Sequence, residues 1–290
     1  MNPAPSVILF TVLSGMGFGF LACLGIGLLP VQGWAAFGFW GLGYGLAVAG
    51  MLASTAHLGN PQRALLAFTQ WRTSWLSREA WASVLTLLVL APQALSDWLG
   101  LDLGRWFGAV GAVLCLVTVG CTAMIYAQIR AVPRWNHPIT VVSFLWFALT
   151  GGLLLSGGGA LPALAAAVLG VVLWQGWRIG DGRFAEAGAT LGTATGLDRI
   201  GTPTVFELPH TGGNYLLREM IHVVGRKHAR KLRVIALVLA AAVPAVLLLA
   251  LPTLPAVLLS ALSHLCGALA ARWLFFAEAE HVVGLYYGRR

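Results

Sequence analysis

The sequence predicts an all-α membrane protein, an eight-transmembrane-helix bundle. Three observations predict it: extreme apolarity, eight apolar stretches of spanning length, and basic residues confined to one side. Of the 290 residues, 58% are apolar and 10% charged, with a mean hydropathy of +0.81. Soluble domains carry about 25% charged residues. A bilayer hides such a chain because each spanning helix needs about 20 apolar residues. The net charge of +8 in so apolar a chain reads as a topogenic signal and not as a nucleic-acid footprint. No nucleic-acid partner is expected.

The spans fall near 6–29, 35–57, 78–95, 106–129, 139–155, 161–177, 233–251 and 256–285. The first apolar stretch, Pro5 to Pro30, is longer than a signal-peptide core and reads as a retained span. Gly15 with Gly19 in span 1, and Gly41 with Gly45 in span 2, have the small-xxx-small spacing that lets helices approach. Gly15-Met-Gly17-Phe-Gly19 lies inside a helix with no strand before it, so it is not a nucleotide loop. Spans 5 and 6, and spans 7 and 8, are joined by short Gly- or Pro-bearing links and form hairpins. The last span is longer than a bilayer is thick, so its end tilts or projects. Trp34, Trp71, Trp75, Trp135 and Trp177 lie at span ends, as an aromatic belt requires. Cys23, Cys115, Cys121 and Cys266 sit in apolar stretches without a CxxC pair, so they read as packing residues.

With eight spans both termini share a side, and 16 of the 18 basic residues fall there. Arg105 lies on the opposite side and Arg272 inside span 8. The positive-inside rule then makes the basic side cytoplasmic. The whole of 1–290 reads as a single membrane domain, with a cytoplasmic loop over 178–232 that is too small and polar to fold alone. Its basic end, Arg226 to Arg233, reads as a stop signal against anionic lipid or a strip for an acidic partner. Within it, Tyr215 to Glu219 echoes Trp75 to Glu79, by duplication or by coincidence.

Ionisable groups near a membrane core are costly and tend to be functional. His57 ends span 2, just before the helix breakers Gly59 and Pro61; Ser77 can cap span 3, with Glu79 in its first turn. A histidine and a carboxylate at one depth beside an apolar groove can hydrogen-bond quinone oxygens and move protons. The plainer alternative is a histidine satisfied by a loop carbonyl and a carboxylate favouring a helix N-terminus. In span 8, Arg272 needs a counter-charge, and Glu278 or Glu79 could supply it. Bis-histidine haem needs two histidines on different helices at one depth. His264 is alone toward its side, so no haem is expected. A transporter would need paired broken helices around a midplane site. No such break recurs in both halves.

These residues carry a resemblance over essentially the whole chain. His57-Leu-Gly-Asn-Pro-Gln-Arg-Ala64 followed by Trp75-Leu-Ser-Arg-Glu79, with Val132-Pro-Arg-Trp135, resembles the DmsC-type membrane anchor subunits of the molybdopterin oxidoreductases, the dimethyl sulfoxide reductase family. Pro209 to Met220 and Phe275 to His281 resemble a sub-branch, the SoeC-type anchors of quinone-linked sulfite dehydrogenases. The resemblance implies an anchor without haem in the bacterial inner membrane, both termini cytoplasmic. It also implies exchange of electrons between quinone (ubiquinone or menaquinone) and an iron–sulfur subunit, beside a catalytic subunit holding molybdopterin. The family's histidine maps onto His57 and its glutamate onto Glu79; Arg63, Arg72 and Trp75 on the same connection complete the quinone-binding candidates. The long loop and the cytoplasmic placement of the docking side favour sulfite oxidation over a menaquinol-oxidising reductase.

Overall fold

The computed structural model describes every residue except 57–59, 208–209, 211, 222–223, 252 and 289–290. Among the described residues, eight helices are long and apolar enough to cross a membrane. They are α1 (Pro5–Gly25), α2 (Gly33–Thr55), α3 (Trp75–Leu99), α4 (Trp106–Ala127), α5 (Pro138–Ser156), α6 (Ala160–Glu186), α7 (Arg226–Ala250) and α8 (Leu254–Ala277). Local chemistry sets several of their ends. Pro5 and Pro138 occupy first-turn positions where a missing N–H costs nothing, and Gly100 closes α3 in the left-handed conformation. Among the described residues there is no strand.

The helices form two four-membered rings. In the first, α1 packs on α2, α2 on α3, α3 on α4, and α4 back on α1. The second closes in the same way through α5, α6, α7 and α8. The rings meet where α1 packs against α5 and α8, and α4 against α5. Helix α1 is therefore the most enclosed element. Its contact with α5 is backbone to backbone: a Cβ placed on Gly19 would overlap the Ala148 carbonyl, and one on Gly152 the Gly19 carbonyl. Outward faces carry Leu52, Leu88, Leu164 and Leu258, all more than half exposed, which suits lipid.

Several expectations are corrected. Gly15, Gly41 and Gly45 face open space; the α1–α2 contact uses Gly17 against Ala47, and Gly50 against Ser14. Small residues at this spacing mark a close helix pair, but which ones face inward depends on helix rotation. Trp135 is buried, and its Nε1 donates to the Phe275 carbonyl at 2.9 Å, so it is core and not belt. Helix α6 runs on to Glu186 and α7 begins at Arg226, so the connection is shorter than 178–232. Helix α8 stops at Ala277, with a separate 3-10 turn over Val282–Tyr287, instead of one overlong span. The segments echoing each other differ in form: Trp75 to Glu79 opens α3, whereas Leu216–Met220 is an isolated π turn.

The connection after α6 lies over the basic end of the bundle. Tyr287 Oη accepts from Asn214 Nδ2 at 3.1 Å and meets His210 Nδ1 at 2.9 Å; Tyr286 Oη donates to the Ala194 carbonyl at 2.8 Å. The Met1 amine donates to the Ala279 carbonyl at 2.8 Å, and Arg226 pairs with Glu280 at 3.0 Å. Burial, and then the Arg226 charge, lower the amine's pKa to about 5. Burial, and then that amine, lower the pKa of His281.

Candidate functional site

The site is built on the first turns of α3. The chain from 61 to 74 folds back over them as a 3-10 segment, Pro61–Phe68, and a turn. Ser74, and not Ser77, is the N-cap residue. Ser77 lies inside the helix, donating to the Ala67 carbonyl and accepting the Gln70 N–H at 3.2 Å. Arg78 donates to the Trp71 and Arg72 carbonyls at 3.0 and 2.7 Å and stacks on the Trp75 ring at 4.4 Å; Trp81 Nε1 donates to the Phe68 carbonyl at 3.0 Å. These contacts tie the connection to the helix that carries the carboxylate.

Glu79 is 1% exposed, near the basic end of α3. Its Oε1 accepts the hydroxyl of Thr122 on α4. A buried carboxyl group without a hydrogen bond costs several kcal/mol in hydrocarbon, so this hydroxyl matters. Below it the inward face of α3 continues as Ser83, Thr86, Leu90, Gln93 and Asp97, at three- and four-residue steps. Thr86 and Thr118 hydroxyls meet at 3.0 Å, and Tyr44 donates to the Leu87 carbonyl at 2.7 Å. At the far end Asp97 accepts from Trp40 at 3.1 Å and Gln93 at 3.0 Å, and pairs with Arg105 at 3.1 Å. Leu90, fully buried against Gly111, separates the two polar groups.

Of the residues singled out from the sequence, His57 lies outside the described residues. Arg63 and Arg72 are exposed on the folded-back connection, and Trp75 is half-buried at the start of α3. Arg272 and Glu278 are both buried, but they do not pair with each other. Glu278 binds Arg233 at 2.7 Å and Arg134 at 3.4 Å. Arg233 also holds Asp181 through two bonds of 2.6 and 2.8 Å, and Arg134 reaches Asp181 too. This neutral quartet joins the α4–α5 link, α6, α7 and the end of α8. The expected counter-charge for Arg272 is replaced by aromatic faces: its guanidinium lies 3.5 Å from the Phe144 ring centre and 5.0 Å from that of Phe147. Glu278 prefers the quartet because two guanidiniums at the helix end satisfy it nearer to water.

Sequence reasoning missed Thr122, Arg134, Asp181 and Arg233. The signal for Thr122 was available: Thr118 and Thr122 stand one turn apart in an otherwise apolar helix. Among the described residues no group of three His, Cys, Asp or Glu side chains could hold a metal ion.

Fold and site together define a multi-pass membrane protein whose buried carboxylate lies toward a basic, structured face. The profile of the DMSO reductase anchor subunit (DmsC) family matches residues 1–167. The chain is also 31% identical to a sulfite dehydrogenase subunit of Allochromatium vinosum, with 99% of each chain covered. It therefore belongs to the DmsC family of membrane anchor subunits. No solved structure matches it. Membership of this family implies a catalytic oxidoreductase partner.

Proposed function

We infer that the chain anchors a molybdopterin oxidoreductase to the bacterial inner membrane, and that the complex oxidises sulfite and reduces quinone. Its basic face is the cytoplasmic side, and an iron–sulfur subunit docks there beside the molybdopterin subunit. The likeness to a sulfite dehydrogenase subunit over 99% of both chains supports the substrate. The observation that carries the quinone reading is Glu79: a fully buried carboxyl group that accepts the Thr122 hydroxyl, near the basic end of a lipid-embedded helix.

The residues fit a quinone. The folded-back connection offers apolar side chains, among them Leu65 and Leu66, while Glu79 and His57 supply a carboxyl group and an imidazole on adjoining segments. Bound there, quinone supplies two-electron, two-proton redox chemistry. Thr122 fixes one Glu79 oxygen and leaves the other to hold or pass a proton. His57 would supply an imidazole as a further polar group for the headgroup. Burial of Glu79 excludes bulk water, so proton exchange is confined to the groups that line it. Arg63 and Arg72 hold the connection toward anionic headgroups and the docked partner.

The test is Glu79→Gln in the purified complex. Quinone-coupled sulfite oxidation falls by about 100-fold, a usual value for a lost acid–base group. Sulfite oxidation with a water-soluble dye stays at the wild-type rate. Unchanged quinone turnover would sink the assignment. His57→Gln is expected to behave in the same way.

A further inference from the structure

Arg272 poses a problem that the quinone site does not answer. It is 3% exposed, it lies within a spanning helix, and among the described residues no carboxylate is within ion-pair distance. A buried charge with no counter-charge needs other compensation, and water is the cheapest. Arg272 is a wall of two cavities. One, of about 20 Å³, lies between the rings and is also lined by Ser14, Thr122 and His264. The other, of about 70 Å³, is inside the second ring and is also lined by Thr140, Ser143, Gly176 and Glu278. A third, of about 270 Å³, sits at the basic end and is walled by Arg134, Asp181 and Glu278. Neighbouring cavities share residues: Arg134 and Glu278 belong to the outer two, Arg272 and Phe147 to the inner two. The innermost touches Thr122, whose hydroxyl donates to Glu79.

Size decides what these spaces hold. A water needs about 10–15 Å³ by this measure. The inner two cavities therefore take one water and a few waters, and neither takes a substituted ring. Their hydroxyls suit water as well. Ser14, Thr140 and Ser143 each donate to a backbone carbonyl, at 2.6, 2.8 and 2.7 Å, leaving oxygen lone pairs for the cavity.

We propose that the second ring carries a water-filled proton route from the basic face, past the Arg134–Asp181–Arg233–Glu278 quartet and Arg272, to Thr122 and Glu79. The proposal rests on the quinone reading of Glu79. Reduction of one quinone to quinol consumes an electron pair, delivered from the partner's iron–sulfur subunit, and two protons. The route supplies those protons from water at the basic face, each replacing one that Glu79 has handed on. Arg272 stands at the narrow point.

The experiment plugs the middle cavity in the intact complex. Ser143→Leu fills it from α5 and Gly176→Leu from α6. Gly176→Ala is the control, because its Cβ would sit 3.7 Å from Ile139 Cγ1, an ordinary contact. Each leucine lowers quinone-coupled turnover by about tenfold and raises its H₂O/D₂O rate ratio, leaving the KM for quinone and the dye-linked rate unchanged. The alanine control stays within about twofold of wild type, a small share of the usual proton-transfer effect. Ser143→Ala removes a hydroxyl without adding bulk and shifts rate and isotope ratio in the same direction by less. Wild-type quinone turnover and isotope ratio in the leucine variants, with Glu79→Gln inactive, would overturn the route and leave the quinone site standing. Full quinone turnover in Glu79→Gln would overturn both.

Discussion

The two rings differ in how they satisfy the polar groups they bury. In α1–α4 the inward polar residues of α3 are mostly hydroxyls and amides, and most of them close on α2, on α4, on α3 itself or on the backbone, with Gln93 Oε1 left without a partner among the described residues. α5–α8 also bury hydroxyls and His264, but here four charges are gathered in a quartet at the basic end, with Arg272 below it. Hydrogen bonds that close on each other draw two helices together. A charge satisfied by ring faces leaves its N–H groups needing acceptors, and the packing around it stays open. The first ring is thus suited to hold a ligand at one depth, and the second to admit water.

The largest expected effect comes from breaking the joint between the rings. Gly19→Val drives a side chain into the Ala148 backbone and destabilises the fold by about 3 kcal/mol or more. Gly41→Val, at a glycine facing open space, leaves the melting temperature in detergent unchanged. Removing a charge from the second ring comes next. Arg233→Ala leaves Asp181 and Glu278 with one guanidinium between them and costs about 2 kcal/mol, moderated because Asp181 is half exposed. Thr86→Val, in the first ring, costs only about 0.6 kcal/mol, the mean for hydrogen bonds within a membrane. Equal losses in these two variants, read by thermal unfolding, would erase the distinction drawn between the rings.

The smallest effect is one of pH, at the cap over the basic end. The Met1 amine and His281 both bind protons less readily folded than unfolded. The unfolded state therefore holds more protons in this range, and stability rises with pH. The amine's share is present above its ordinary value of 8.0 and is lost as pH falls toward about 5. His281 adds a loss below its ordinary value of 6.5. Hydrogen exchange over residues 279–287, corrected for intrinsic rate, is expected to quicken at pH 5 relative to pH 8. Helix α3 is expected to keep its protection.

Helix count was legible because hydropathy is additive along a chain and needs no partner. Sidedness could be argued from the same source, since the order of charges between spans is one-dimensional. Glu79 stood out because a carboxylate in an apolar helix is rare. Its partner Thr122 did not, since a hydroxyl in such a helix costs little and leaves no mark on hydropathy. The error over Gly41 and Gly45 has a similar origin. Spacing fixes which residues share a face, but only packing fixes which face turns inward. For Arg272 the sequence offered two carboxylates, and the fold chose three phenyl rings. Ring–cation contacts between α5 and α8 depend on a helix pairing that no local pattern encodes.

Helix α1 leaves the ribosome before any of the helices it packs against. Gly19 meets Ala148 only after α5 has been made, and Gly25 meets Gly108 only after α4. Until then its small-residue faces are bathed in acyl chains, which cannot enter a notch shaped for another backbone. Helices α4, α5 and α8 must therefore close around a helix already in place, displacing lipid from it. The order of synthesis makes the first helix the mould on which the rest of the molecule is cast.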